Sequence, residues 1–211
     1  MPQDNQNIFD IILNRIINLD YEPGRLISEK QLIEEFSVSR TPIREALLKL
    51  SEKGFVELVP RVGTYVTQID LRNVKYAYEV KKRLESLACE LAAQRISEEE
   101  ADKLLILADE ISDLSPQEDY EAYIEFDYKF RKEVRRISGN PYLIEYLEDL
   151  NIKTMRFVKH IEYKMEDAQW YDASVKAIAK AIKEKNPERA GQEMAKHSDV
   201  FLEELSKRFF I

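Results

Sequence analysis

The residues of this chain with the clearest capacity for recognition chemistry are four polar side chains that lie close together: Ser39, Arg40, Thr41 and Arg44. Arg40 and Arg44 are four residues apart, so on a helix both guanidinium groups project from one face. A guanidinium group can donate two parallel hydrogen bonds to O6 and N7 of guanine, and hydroxyl groups suit phosphates or base edges. This spacing predicts a helix that contacts DNA. The alternative is that Arg44 pairs with Glu45 or Glu52 on a solvated helix face.

Two short helices joined by a tight turn are predicted to position these side chains. Ser28 followed by Gln31 is the start of a capping box for the first helix. Ser39 then caps a second helix, whose apolar residues keep helical spacing up to Leu50. Gly54 ends that helix, because glycine readily adopts the left-handed conformation of a C-terminal cap.

A two-stranded hairpin is predicted after the second helix. Residues 55–59 and 64–69 are rich in residues that favour strands, and Gly63 is predicted to lie at the tip between them. Helix, turn, helix and wing is an arrangement that places a helix in the major groove of DNA. The sequence therefore predicts a DNA-binding domain over residues 1–70.

A longer set of residues extends this pattern: Pro23, Gly24, Leu26, the run from Ser39 to Leu47, Leu50, Gly54 and Gly63. Together they resemble the winged-helix domain of the GntR family of bacterial transcription regulators. The resemblance implies that Arg40 and Arg44 recognise the operator and that Gly63 lets the wing backbone approach the minor groove. It also implies DNA contacts for Lys30, at the start of the preceding helix, and for Arg61 on the wing.

The charge of the whole chain is acidic, with a formal net charge of −8 over 211 residues. This balance argues against a general nucleic-acid coat protein, although residues 39–53 carry four basic and two acidic side chains. Such a local excess fits specific, salt-dependent DNA binding. Cys89 is the single cysteine, which rules out an intrachain disulfide and favours a reducing compartment. No apolar run approaches the ~18 residues that cross a bilayer, so we expect a soluble, cytoplasmic protein without a membrane partner.

Residues 71–211 contain helical patterns and nothing that resembles a strand. The candidate helices span about 71–95, 97–113, 118–138, 140–165, 168–185 and 187–208. Long amphipathic helices joined by short turns form all-α bundles. The predicted fold is therefore mainly α, with an N-terminal winged helix-turn-helix carrying a small β-hairpin wing and a C-terminal all-α helical bundle over residues 71–211.

The bundle also carries a recognisable pattern: Arg83-Leu84-Glu85 with Ala88, Leu91 and Ala92, Asp127 with Phe130, Ser138 to Pro141 with Leu143, Ala181-Ile182, and Met194 with His197. It resembles the effector-binding domain of the FadR subfamily, many members of which bind a divalent metal through one aspartate and three histidines. Asp127 and His197 match two of these ligands. Arg131 and Val175 stand where the other two imidazoles would be, and a guanidinium has no lone pair to donate. We therefore expect no bound metal and no other cofactor.

Three interpretations of the altered site stay open. Arg131 can replace the metal and bind a carboxylate effector directly, with Arg83 or His197 sharing the anion. The bundle can instead hold a long acyl chain, or it can have lost effector binding and serve only to dimerise. Asp127 and Arg131 are then a structural ion pair, and His197 is a core residue.

The sequence as a whole predicts a transcription regulator. We expect a repressor that binds a short palindromic operator as a homodimer and senses a small-molecule effector in its bundle. One alternative is a helical metal-dependent enzyme, but a Glu-x-x-His pair and a glycine-rich phosphate loop are both missing. The other is a pure protein-interaction module, which would leave Arg40 and Arg44 without a purpose.

Overall fold

The structure, a computed structural model, describes residues 2–114, 120–161 and 169–209. The chain divides into two compact units, one formed by residues 1–70 with 152–162 and the other by residues 71–151 with 163–211. The predicted helix ends at residues 118, 165 and 168 lie outside the described residues.

The first unit combines three helices with a small sheet: α1 Pro2–Ile17, β1 Leu26–Ile27, α2 Glu29–Phe36, α3 Arg40–Glu52, β2 Val56–Val59 and β3 Gly63–Val66. Its core forms where the apolar stripes of α1 and α3 meet, and Ile12, Ile16 and Ile43 are fully buried there. Since α3 is anchored along this stripe, its opposite face is presented to solvent.

The start of α2 and the end of α3 follow the predicted capping chemistry, whereas the start of α3 does not. The Ser28 hydroxyl accepts a hydrogen bond from the Gln31 amide at 3.3 Å. At the end of α3, Gly54 has φ +79°, and the Gly54 amide donates to the Ser51 carbonyl at 2.9 Å. Ser39 occupies the N-cap position of α3 without a side-chain capping bond, so its hydroxyl is not used by the helix.

The sheet has three antiparallel strands in the order β1-β3-β2, one more than the predicted hairpin. β1 consists of only Leu26 and Ile27, which pair with Tyr65 and Thr64 of β3. A strand of two residues is too short to show an alternating pattern, so sequence reasoning missed it. Gly63 is the first residue of β3 and pairs with Val59, so residues 60–62 rather than Gly63 form the tip.

The second unit is helical throughout its described residues: α4 Leu71–Arg95, α5 Glu98–Asp109 followed by a 3₁₀ turn Glu110–Asp113, α6 Tyr120–Ser138, α7 Pro141–His160, α8 Gln169–Lys183 and α9 Pro187–Phe209. Helix α4 packs against α6, α8 and α9. Helix α7 contributes to both units. Its residues Leu143 and Leu147 pack with Ala88 in the second, whereas Ile152 packs against the core of the first.

Candidate DNA-contacting surface and buried polar cluster

The solvent face of α3 carries the two arginines that the sequence singled out. The side chains of Arg40 and Arg44 are 67% and 62% exposed. Both approach Glu29 at the start of α2, because the Arg44 Nε donates to the Glu29 Oε2 at 3.2 Å and the Arg40 Nε lies 4.0 Å from the same oxygen. The two guanidinium groups therefore lie side by side and accessible at the N-terminal end of α3.

Glu29 is the partner of Arg44 that sequence reasoning missed. The predicted alternatives were Glu45 and Glu52, whereas Glu29 precedes Arg44 by 15 residues and comes from another helix. An ion pair this exposed contributes at most about 1 kcal/mol to stability. Glu29 therefore orients the two arginine side chains but leaves them accessible to another ligand.

The remaining predicted DNA contacts surround this pair in the first unit. Ser39, Thr41 and Lys30 are exposed, and Lys30 lies 3.8 Å from Glu34, one helical turn away. Arg61 is exposed at the wing tip with φ +64°. A cleft of about 560 Å³ lies between α3 and the wing and includes Arg44 and Arg61 in its lining.

Gly63 is required by the sheet itself. Its φ is +151°, a conformation that residues with a side chain rarely adopt. A Cβ atom added at this position would lie 2.6 Å from the Leu26 Cδ1 atom of β1. The φ value explains the glycine without any reference to DNA, because the Leu26 Cδ1 atom is the end of a half-exposed side chain that can shift.

Arg156 of α7 contacts the end of the wing, and sequence reasoning did not identify it. Its NH1 donates to the Thr67 hydroxyl at 3.1 Å and its NH2 to the Thr67 carbonyl at 2.6 Å. Burial lowers the pKa of Arg156 to about 10. Residues 67 and 156 are far apart in the chain, so no local pattern predicts this bond.

In the second unit, three of the four predicted effector residues meet in a buried polar cluster. The Arg131 Nε donates to both carboxylate oxygens of Asp127, at 2.8 and 3.0 Å, and the Arg131 NH2 lies 2.8 Å from the His197 Nε2. Tyr171 of α8 donates its hydroxyl to Asp127. Arg131 of α6 is thus the central residue of the cluster, because it contacts both Asp127 of α6 and His197 of α9.

The protonation of His197 follows from these contacts. Arginine has no acceptor, so the His197 Nε2 must accept and the proton must reside on Nδ1. The Nδ1 atom lies 2.6 Å from the Ser174 Oγ, which in turn donates to the Tyr171 carbonyl at 2.7 Å. Burial, reinforced by the Arg131 charge, lowers the pKa of His197 to about 3. The imidazole is therefore neutral in the folded protein.

The charge of the cluster is balanced by acidic groups from α4 and α6. Burial alone would raise the pKa of Asp127, but the Arg131 guanidinium and the Tyr171 hydroxyl lower it to about 2. The Glu85 Oε1 lies 3.8 Å from the Arg131 NH1 and also accepts from Arg135. Two carboxylates therefore face two guanidinium groups; Glu85 and Arg135 are fully buried, whereas the Asp127 side chain is 24% exposed.

Arg83 does not belong to this cluster. It is exposed on α4, whereas Lys81 and Glu85, two residues before and after it, are buried. Side chains two positions apart on a helix face different directions, so the predicted role of Arg83 as an anion partner is not supported. Lys81 donates to Asn151 at 2.9 Å, and burial lowers its pKa to about 7.

The residues of the cluster do not fit a divalent metal. Val175 is 1% exposed and offers no donor atom, and the His197 lone pair is already directed at Arg131. Within the described ranges, no group of three or more His, Cys, Asp or Glu residues is placed to hold a metal ion. A fixed guanidinium beside Asp127 would also repel such an ion.

Comparison with known proteins identifies both units. Residues 5–66 match the model of bacterial regulatory proteins, gntR family, and residues 76–199 match that of the FCD domain. The chain belongs to the gntR family of bacterial regulatory proteins. Its relatives in this family are transcriptional regulators that bind DNA through a helix-turn-helix, not enzymes.

Two relatives illustrate the extent of the similarity. An uncharacterized HTH-type transcriptional regulator of Bacillus subtilis, YdhC, is 31% identical over 90% of this chain and 85% of its own length. The HTH-type transcriptional repressor RspR of Escherichia coli is 34% identical over 47% of this chain, and the match spans only 44% of that protein. Several of the curated relatives are thus matched over about half of their length.

Two solved structures show the same fold over nearly the whole chain. Escherichia coli McbR/YncC superposes with a TM-score of 0.80 over 98% of both chains at 20% sequence identity. A putative transcriptional regulator GntR from Rhodococcus sp. RHA1 has a TM-score of 0.73 at 21% identity, over 97% of this chain and 98% of its own. The described helices include none that is long and apolar enough to cross a membrane.

Proposed function

We propose that this gntR-family protein is a homodimeric cytoplasmic repressor of the FadR subfamily that binds a short palindromic operator. The observation that carries the proposal is the exposed pair of Arg40 and Arg44 at the start of a helix anchored by a buried apolar stripe. The first turns of such a helix are the part that reaches base edges in the major groove. Lys30, Ser39, Thr41 and the wing residues Arg61 and Gly63 surround the pair and are proposed to position it on the phosphates and in the minor groove.

Base recognition is tested by selecting binding sites from a random DNA library and measuring affinity with the selected site. Arg40→Ala and Arg44→Ala should each cost ~1–3 kcal/mol of specific binding and relax the preference at one base pair. Arg189→Ala is the matched control, since Arg189 is a partly exposed arginine of the second unit that pairs with Glu184. Wild-type affinity in both α3 variants, with circular dichroism unchanged, would rule out this helix as the recognition element.

We further propose that the helical unit binds a small carboxylate effector beside the buried cluster. The support is a set of buried donors without hydrogen-bond partners among the described residues, the Tyr123 hydroxyl and the Trp170 Nε1. The Tyr123 ring lies 5.0 Å from that of Tyr171, and the Trp170 ring 5.6 Å from that of His197. The two oxygens of a carboxylate are acceptors that such donors can bind.

The effector proposal is tested by thermal melting with a panel of short dicarboxylates, hydroxycarboxylates and fatty acids. A short carboxylate should raise the melting temperature of the wild type, and Tyr123→Phe, which removes only the hydroxyl donor, should reduce that rise. If fatty acids alone stabilise the protein, the bundle holds an acyl chain instead. If no compound does, a role in dimerisation alone is favoured.

A further inference from the structure

We infer that the Arg131 guanidinium is the resident cation of the buried cluster and takes the place that a divalent ion holds in metal-binding proteins resembling this one. The cluster is then assembled, and kept assembled, without any metal. The inference concerns only the second unit and does not depend on whether the protein binds DNA.

The contacts of Arg131 are those expected of a central cation. Its Nε binds both oxygens of Asp127, its NH2 faces the His197 Nε2 at 2.8 Å, and its NH1 lies 3.6 Å from the Met194 sulfur. One planar group therefore links α6 to α9, and Tyr171 links the same carboxylate to α8. The side chain of Arg131 is 11% exposed, so water screens its charge only weakly and its interaction with the Asp127 carboxylate is strong.

The rest of the cluster matches a guanidinium and not a metal ion. A four-ligand site requires lone pairs from four sides, but Val175 is aliphatic and Tyr171 directs a hydroxyl proton at Asp127. Glu85, 3.8 Å from the Arg131 NH1, adds a second negative charge. Of the residues at the four metal-ligand positions, Asp127 and His197 thus remain as hydrogen-bond acceptors. They lie far enough apart for the Nε atom of Arg131 to bind one and its NH2 atom to bind the other.

Chemical rescue tests whether the guanidinium itself is needed. Arg131→Ala should lower the melting temperature by roughly 6–20 °C, because it leaves the Asp127 carboxylate without its paired cation and Glu85 with Arg135 alone. Ethylguanidinium, which restores the deleted atoms, should recover part of this loss in a saturable manner at millimolar concentration. Ethylammonium should not, since a compact ammonium cannot contact Asp127 and His197 together. The control Arg189→Ala, which breaks a partly exposed pair, should show a small loss and no rescue.

Equal melting temperatures for Arg131→Ala and Arg189→Ala would overturn the inference. So would an Arg131→Ala variant that neither compound rescues, or that both rescue equally.

Metal binding supplies a second measurement that does not require Arg131→Ala to fold. Wild-type protein purified without chelator should contain no stoichiometric metal, and neither EDTA nor Ni²⁺ should shift its melting temperature. The double variant Arg131→His with Val175→His should bind one equivalent of Ni²⁺ and melt at a higher temperature with it, whereas Val175→His alone should not. One equivalent of metal in the wild type, lost with EDTA together with stability, would overturn the inference. A folded double variant that gains no metal binding would also overturn it.

Discussion

His197 shows how a buried side chain acquires a fixed protonation state from its neighbours. Arg131 donates to one ring nitrogen and Ser174 contacts the other, while the Trp170 and Tyr171 rings pack against the imidazole. A second ring proton would point at a guanidinium group and would have no acceptor. The histidine therefore acts as a neutral hydrogen-bonding link between α6 and α8 and not as a charge.

This arrangement predicts the pH dependence of stability. The pKa of His197 is about 3 in the folded protein against its ordinary value of 6.5. Between these values the unfolded chain binds the additional proton, so the free energy of unfolding should fall as the pH drops from 6.5 towards 3. His197→Gln keeps an acceptor for Arg131 and a donor for Ser174 but does not titrate. Urea unfolding from pH 7 to pH 4 should show a shallower pH slope for this variant, and an identical slope would contradict the assignment.

At this scale the sequence predicted the contact within α6, and the resemblance placed His197 at the same site, but the contacts from α4 and α8 were missed. Asp127 and Arg131 pair because they are one turn apart, which the sequence alone specifies. Tyr171, Ser174 and Glu85 reach the same cluster from α8 and α4, and their sequence positions carry no signal of this. Arg83 lies on the exposed side of α4, since the buried face of that helix passes through Lys81 and Glu85, and its role as an anion partner stays a prediction.

The wing is the element whose geometry depends most on a single backbone conformation. Gly63 begins β3 with φ +151°, and Leu26 of β1 occupies the space that a side chain would need.

The helices were predictable because their periodicity extends over several turns. The third strand was not, because two residues of β1 are recognised only through their pairing with β3.

Substitution of Gly63 tests the structural role of the wing glycine. Gly63→Ala should destabilise the first unit by about 1 kcal/mol or more, chiefly because of the strained φ, since the Leu26 Cδ1 atom is the end of a flexible side chain that can shift. Gly63→Ala with Leu26→Ala should recover only the part of the loss that comes from the clash. Urea unfolding gives both values, and Gly54→Ala serves as a control, because its φ is +79° but no atom lies within 4 Å of the added Cβ. Equal losses at Gly63 and Gly54 would show that the contact with Leu26 has no effect.

At the scale of the whole molecule, the proposed palindrome requires two copies of the chain. The second unit exposes large apolar side chains beside the contact between α4 and α7: Leu87, Tyr142 and Tyr146, which are 39–70% exposed. A stable interface buries roughly 1,200–2,000 Å² in total, and such a patch can form the apolar part of a two-fold contact.

Sedimentation velocity should therefore show a dimer at micromolar concentration. Tyr146→Asp should weaken it, because a carboxylate would be buried in the apolar contact, whereas Ile106→Asp on α5, at an equally exposed position, should not. A wild-type chain that is monomeric both free and on DNA would contradict the proposed homodimer.

The Glu29 carboxylate has a consequence for how the protein searches DNA. Glu29 belongs to the same folded unit as Arg40 and Arg44 and lies beside both guanidinium groups. It therefore competes with a DNA phosphate for these groups at a fixed, high effective concentration. A single phosphate contact gains little by displacing it, because one exposed ion pair is exchanged for another. An arginine that contacts guanine can donate two hydrogen bonds, to O6 and N7, whereas Arg40 and Arg44 share a single oxygen of Glu29. In the proposed binding mode, Glu29 would thus weaken encounters with random sequence more than those with the operator, and an acidic residue beside α3 would contribute to discrimination.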